Sequence, residues 1–234
     1  MKSVIIVFLL SLIRVQGQII EIPSSPRSIE AVQRVKPLLE NELNKKELTW
    51  GAAVFIRIIK KNNSLELYLK KGTNYQLFKS YPICYFSGNI SPKTKQGDNQ
   101  APEGFYEVRP SQLNPNSNYH LAFNLGYPNA YDKAHKYTGN YLMVHGNCVS
   151  IGCYAMTDEK IEEIYALIQA AFENGQKVIQ VHCFPFEMTT ENLKKYADHK
   201  YAAFWQNLSE GYDIFEKNRT LPKVNVKNKK YVFE

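Results

Sequence analysis

The chain lacks most of the features that would take it out of the class of single folded domains. It has no internal apolar run of the roughly 20 residues that a membrane-spanning helix needs. It has no internal repeat and no low-complexity stretch, which excludes solenoids and fibrous arrays. Cysteine is scarce, at four residues, and the four contain no Cys-x-x-Cys pair. A structural zinc site would therefore lack its usual ligand spacing, even if His145, His182, Cys148, Cys153 and Cys183 converged. The formal charge is +7, yet the lysines are scattered apart from a tail at Lys223, Lys227, Lys229 and Lys230. No nucleic-acid motif accompanies them, so nucleic acid is not the expected partner; an anionic cell-wall polymer suits the same charge.

What is present is enough apolar and aromatic material for a core, 44% and 13% of 234 residues. The first 17 residues read as a secretory signal. Lys2 supplies the positive start, Val4 to Ile13 a short apolar stretch, and Val15-Gln16-Gly17 small residues at a cleavage position. The implied location is the periplasm, with no stable transmembrane segment after signal removal. A helical segment over 18–49, a globular domain over 50–215 and a solvated basic tail over 216–234 complete the expected organisation.

Periodicity places the elements. Ile29, Val32, Val35, Leu38, Leu39 and Leu43 recur at helical spacing, and Pro37 is expected to kink or split that helix. Strand character appears at 54–59, 65–69, 75–86, 105–108, 119–124, 141–144 and 178–182. The clearest helix is 157–173, with Thr157 as its cap, Asp158 and Glu159 at its positive end, and Asn174-Gly175 as its stop. One or two helices follow over 190–217. The order implies an α+β domain on a mainly antiparallel sheet or sandwich with flanking helices. The polar segment from Ser87 to Gly104 is long for a compact domain, which marks it as functional or disordered.

The chemistry concentrates in His145-Gly146-Asn147-Cys148-Val149-Ser150-Ile151-Gly152-Cys153, between a buried strand and a capped helix. A thiol must ionise to attack, and an imidazole together with a helix N-terminus is expected to lower the Cys153 pKa. Gly152 removes bulk beside the sulfur, where an oxyanion has to meet a backbone N–H. Cys148 is a resolving thiol, a disulfide partner of Cys84 or Cys183, or a small buried residue; a structural role is favoured. His182 and His120 read as satisfied core histidines.

The block resembles the L,D-transpeptidase catalytic (YkuD) family, whose signature is His-Gly followed by Ser-x-Gly-Cys. The short spacing from His145 to Cys153 is similar to the family's YafK-like branch. So are Lys95 to Tyr106 and Phe123 to Asp132, and the resemblance spans about residues 50 to 215. By that resemblance Cys153 is the nucleophile, His145 its base, and Ser150 and Gly152 complete the catalytic group. Asn124, Tyr127, Tyr154 and Gly146 are candidate substrate-binding positions, although packing or turn roles suit the tyrosines and Asn124 equally. Ile151 stands where the wider family has a second histidine, and Ala155 where it has arginine. The resemblance implies acyl transfer on peptidoglycan stem peptides without metal or organic cofactor. Related activities are stem trimming by an L,D-carboxypeptidase and release of a peptidoglycan-bound outer-membrane lipoprotein. The remaining readings are a non-catalytic wall-binding module of the same fold and a thiol-redox protein, which would need a reversible disulfide between Cys148 and Cys153.

Overall fold

A computed structural model describes residues 21–234. The expected signal over 1–17 lies outside the described residues. Helix α1 runs over Pro26–Lys45, capped by Ser25, whose hydroxyl accepts from Ser28 N while Ser28 returns the bond. It is one helix through Pro37, so of the expected kink or split the split does not occur. Pro37 lies on the solvent face, where water can serve the carbonyl that the proline ring leaves without a donor. Ala31, Val35, Leu39 and Leu43, four apart, form the buried stripe, whereas Ile29 and Leu38 are exposed.

The strands are β1 (Val54–Ile59), β2 (Ser64–Lys71), β3 (Asn74–Pro82), β4 (Tyr85–Phe86), β5 (Gly104–Val108), β6 (Leu113–Asn114), β7 (Ala122–Asn124), β8 (Met143–His145), β9 (Tyr154–Ala155), β10 (Ile179–Phe184), β11 (Val224–Lys227) and β12 (Lys230–Phe233). The helices after α1 are α2 (Ala130–Ala134), α3 (Asp158–Glu173), α4 (Thr190–Lys195) and α5 (Ala202–Asn218). One five-stranded sheet has the order β3-β2-β1-β10-β5 and a second the order β4-β9-β8-β7-β6. Pairing is antiparallel except for β1 with β10 and β8 with β9. The architecture is the α+β class that the element order implied.

Strand β1 shows how the layers form. Its six residues are all buried, because both of its faces are covered. Val54, Ile56 and Ile58 face a core shared with α1, α3 and the second sheet. Phe55 faces the other way, against Tyr68 and Phe215 of α5. Arg57 shares that second face and is paired with Glu66 and Glu216.

The C-terminal segment departs from expectation. Residues 224–233 are not a solvated tail but an antiparallel hairpin, β11–β12, laid on the protein. Val224, Val226, Tyr231 and Phe233 alternate with Asn225, Lys227, Lys230 and Val232, and this period of two turns one face inward. Tyr231 is buried against Phe105 and Tyr131, and its backbone N–H donates to Asn207 Oδ1 at 2.8 Å. A basic composition hid the alternation.

The polar segment 87–104 is ordered around a buried cation. Lys60 Nζ donates to Ala101 O at 2.6 Å, Ser91 O at 2.8 Å and Glu103 Oε1 at 2.9 Å. Trp205 Nε1 donates to the other Glu103 oxygen at 2.9 Å. Burial pushes Lys60 down and Glu103 up, and each charge opposes the shift of the other. This pairing and the carbonyl bonds fix the segment as one wall of the cleft described next.

Candidate active site

Strands β8 and β9 lie side by side in parallel, with Val144 opposite Tyr154 and His145 opposite Ala155. Residues 146–153 join them. Parallel neighbours usually need a connection of a dozen or more residues, and this one is shorter. It turns through left-handed backbone at Asn147 and Cys148, φ 63° and 49°. It closes through Gly152 at φ 153°, where a Cβ would lie 3.2 Å from Leu142 Cδ1. The backbone conformation favours glycine there, and a side chain would also press on Leu142. The parallel register sets Tyr154 beside Val144, so Cys153, the residue just before β9, lies diagonal to His145 at the end of β8.

His145 is buried, and its Nδ1 lies 2.6 Å from Gly146 O. A carbonyl can only accept, so Nδ1 carries the proton and Nε2 presents its lone pair. Among the described residues Nε2 has no hydrogen-bond partner, and it is not one of the polar atoms sealed from solvent without one. Burial lowers the His145 pKa, opposed by the bond to Gly146 O. The ring of Tyr119 lies 4.6 Å from the imidazole at an interplanar angle of 31°.

Cys153 is half-buried. Its sulfur accepts from Met143 N at 3.4 Å and its S–H donates to Tyr141 O at 3.7 Å. Burial pushes the thiol pKa up, offset in part by the Met143 N–H and by the charge of Lys93. This reverses the expected depression. At the N-terminus of α3 Asp158 accepts from Asn147 N at 2.8 Å, while the sulfur's own partners are Met143 N and Tyr141 O. Thr157 holds the cap position without a side-chain cap bond.

Ser150 Oγ accepts from Gly152 N at 3.0 Å and donates to Cys153 O at 2.7 Å. Its hydroxyl braces the turn rather than touching the sulfur. Gly152 N–H is thus occupied, while Cys153 N–H has no partner among the described residues. Cys153 and Gly152 line a cavity of about 160 Å³ with Lys93, Tyr141, Leu142 and Ile151.

The remaining sequence candidates have packing or backbone roles. Gly146 is packed so closely that a Cβ would sit 2.5 Å from Asp158 Oδ1. Tyr154 is fully buried with its hydroxyl donating to Pro102 O at 2.6 Å, and Tyr127 is buried in the same core. Asn124 caps a turn by accepting from Gly126 N at 2.9 Å and lines a separate cavity of about 650 Å³. His182 packs between Phe55 and Phe105. His120 Nε2 lies 2.7 Å from Glu162 Oε1. Cys148 is bonded to Cys84, leaving Cys153 and the buried Cys183 as free thiols.

Lys93 and Tyr119 carry no signal in the sequence. Lys93 is buried, with Nζ donating to Asp98 Oδ1 at 2.7 Å and Lys95 O at 3.0 Å. Asp98 in turn accepts from Thr94, Lys95 and Gln100 N–H groups, so one carboxylate folds the loop that points the lysine into the cleft.

Comparison with known proteins adds to this geometry. The L,D-transpeptidase catalytic-domain (YkuD) family model matches residues 54–181. YafK of Escherichia coli K12, an L,D-transpeptidase by provisional assignment, is 49% identical over 187 residues, covering 80% of this chain and 76% of its own. YafK of E. coli O157:H7 gives the same figures. Among solved structures, the helical cell shape determining protein Pgp2 of Campylobacter jejuni aligns at 19% identity and TM-score 0.46. That alignment covers 77% of this chain and 64%, under two thirds, of Pgp2. Bd1075 of Bdellovibrio bacteriovorus aligns at 16% identity and TM-score 0.41, covering 77% and 79%. On the two sequence matches, the chain belongs to the L,D-transpeptidase catalytic-domain (YkuD) family.

Proposed function

We propose that this protein is an exported cysteine acyl-transferase acting on peptidoglycan stem peptides, with Cys153 as nucleophile and His145 as general base. The observation that carries the reading is the parallel β8–β9 pair. It sets a histidine with a bare Nε2 diagonal to a half-buried free thiol. The catalytic unit is assigned to residues 50–215, with the hairpin packed on it. Export to the periplasm is supported by the Cys84–Cys148 disulfide, since such bonds persist in oxidising compartments.

In the proposed reaction His145 Nε2 takes the thiol proton as Sγ attacks the carbonyl at the L-centre of the third stem residue, a diamino acid. The Cys153 N–H is free to hold the oxyanion. The carbon–nitrogen bond breaks, the proton passes from Nε2 to the leaving amine, and a thioester remains on Cys153. An acceptor amine then attacks the thioester, gives its proton to Nε2, and releases the thiol. Water in place of the amine would give trimming, or release of a stem-bound lipoprotein. Ser150 acts by positioning, because its hydroxyl is committed to Gly152 N and Cys153 O.

The test is to incubate the mature protein with purified sacculi, with and without bound lipoprotein, and to identify products by mass spectrometry. We expect altered stem peptides with the wild type and none with Cys153→Ala, whose fold should survive. Unaltered stems with folded wild type, or equal products from Cys153→Ala, would sink the assignment.

A further inference from the structure

The connection 146–153 has little side-chain packing to hold it. Val149 and Ile151 are 50% and 83% exposed, and Asn147 and Cys148 are exposed as well. Asn147 and Cys148 are also consecutive left-handed residues, φ 63° and 49°, a conformation that non-glycine residues adopt reluctantly. Left free, such a segment would relax toward other conformations. Hydrogen bonds from Asn147 N to Asp158 and between Ser150, Gly152 and Cys153 brace it locally, and its covalent tie to the rest of the sheet is the disulfide from Cys148 to Cys84, with the two Cα atoms 5.3 Å apart. Cys84 leads into β4, on one side of β9, and its N–H donates to Ala155 O at 2.9 Å. Cys148 follows β8, on the other side, and its N–H donates to Met156 O at 3.1 Å. The bond therefore straps across the strand that begins one residue after Cys153.

We propose that the Cys84–Cys148 disulfide positions the nucleophile: it holds the 146–153 connection in the conformation that sets Cys153 against His145, and its reduction by a dithiol disarms Cys153 without unfolding the domain. This rests on the reading of Cys153 as the nucleophile and goes beyond it. In the reduction a thiolate of the dithiol attacks one sulfur, and the S–S bond breaks through a mixed disulfide. The second thiol resolves that intermediate. Two electrons and two protons pass to Cys84 and Cys148, and the reagent leaves as its cyclic disulfide. Both cysteines are exposed, so the reagent can reach them, whereas Cys183 is sealed in the core and takes no part. Holding Cys148 on Cys84 also withholds it from Cys153. The consequence is unusual for a cysteine enzyme, since reductant should lower its activity.

The experiment compares wild type, wild type treated with dithiothreitol, and Cys84→Ala/Cys148→Ala, the double variant avoiding a stray thiol beside Cys153. Three quantities are read: the pH profile of Cys153 alkylation by iodoacetamide, mapped by peptide mass; kcat and KM on stem peptides; and folding by circular dichroism. We expect a shifted alkylation profile and a kcat lower by about 10- to 100-fold in the reduced and double-variant proteins, as for a nucleophile misplaced by about 1 Å. KM should change less, circular dichroism should be retained, and reoxidation should restore the wild type only. Unchanged alkylation and kcat in the folded double variant would overturn the proposal. Loss of the folded signal would overturn it too, by making the bond a fold staple. Alkylation needs no wall substrate, so a wild type inert on stem peptides would count against the proposed function and leave this comparison decisive.

Discussion

At the scale of single residues, the chemistry turns on where the resting proton lies. Burial raises the Cys153 thiol and lowers the His145 imidazole, so both shifts favour the neutral pair over a stored thiolate–imidazolium. The sign follows for each group. Less thiolate is present at neutral pH than for a free cysteine, so the midpoint for Cys153 alkylation should lie above the free value of about 8.5. His145 must be neutral to act as a base. With its pKa lowered, the acidic limb of acyl transfer should fall below the ordinary histidine value of about 6.5. His145→Ala should leave the alkylation midpoint high and reduce acyl transfer by roughly 100-fold or more. A wild-type midpoint well below 8.5 that rises in His145→Ala would instead establish a preformed ion pair.

At the scale of elements, the β11–β12 hairpin and the 87–104 segment show how polar stretches become structure. Glu103 sits where Lys60, Trp205 and the segment's own carbonyls meet, and this internal bonding makes a wall of what composition marks only as a loop. The hairpin depends on Tyr231, stacked on Tyr131 at 4.6 Å and edge-on to Phe105 at 4.9 Å. Its hydroxyl also accepts from Asn129 Nδ2 at 2.8 Å. Tyr231→Ala should cost about 3 kcal/mol of stability in urea denaturation, as for other buried aromatics truncated to alanine. A loss within about 0.5 kcal/mol, the range for surface substitutions, would mean that the segment behaves as a solvated tail.

At the scale of the whole molecule, the first sheet is closed on both faces, and His182 records that closure. It is enclosed by Phe55 and Phe105, its Nε2 meets Gln180 Oε1 at 2.8 Å, and its Nδ1 is buried without a partner among the described residues. Burial, with Arg57 nearby, pushes its pKa down to about 3. The unfolded chain takes up this proton near pH 6.5 and the folded protein does not. The stability His182 contributes is therefore complete above about pH 6.5 and is lost as pH falls from there toward 3. The slope is at most one proton, about 1.4 kcal/mol per pH unit. Urea denaturation of wild type and His182→Gln between pH 7.5 and 4.5 should show the variant losing less stability on acidification. Parallel stability curves would show that His182 is solvated or mobile in the folded protein.

By itself the sequence determined the elements with strong local signals and the block that carries the chemistry. The apolar period of α3 and the strand-to-helix frame around His145 and Cys153 are local properties, readable without knowing any partner. Tertiary structure decided everything that depends on which segments meet. Period two says that Val144 faces inward, but not that β8 runs parallel to β9, and that pairing alone brings the start of β9, next to Cys153, beside the end of β8 that carries His145. Four cysteines permit several pairings; only the approach of β4 to the 146–153 connection selects Cys84 with Cys148. The motif predicts an activated thiol, but the sign of its shift follows from burial, and burial belongs to the folded molecule. Lys93 reaches the cleft because Asp98 folds its loop, a contact between side chains that no spacing announces.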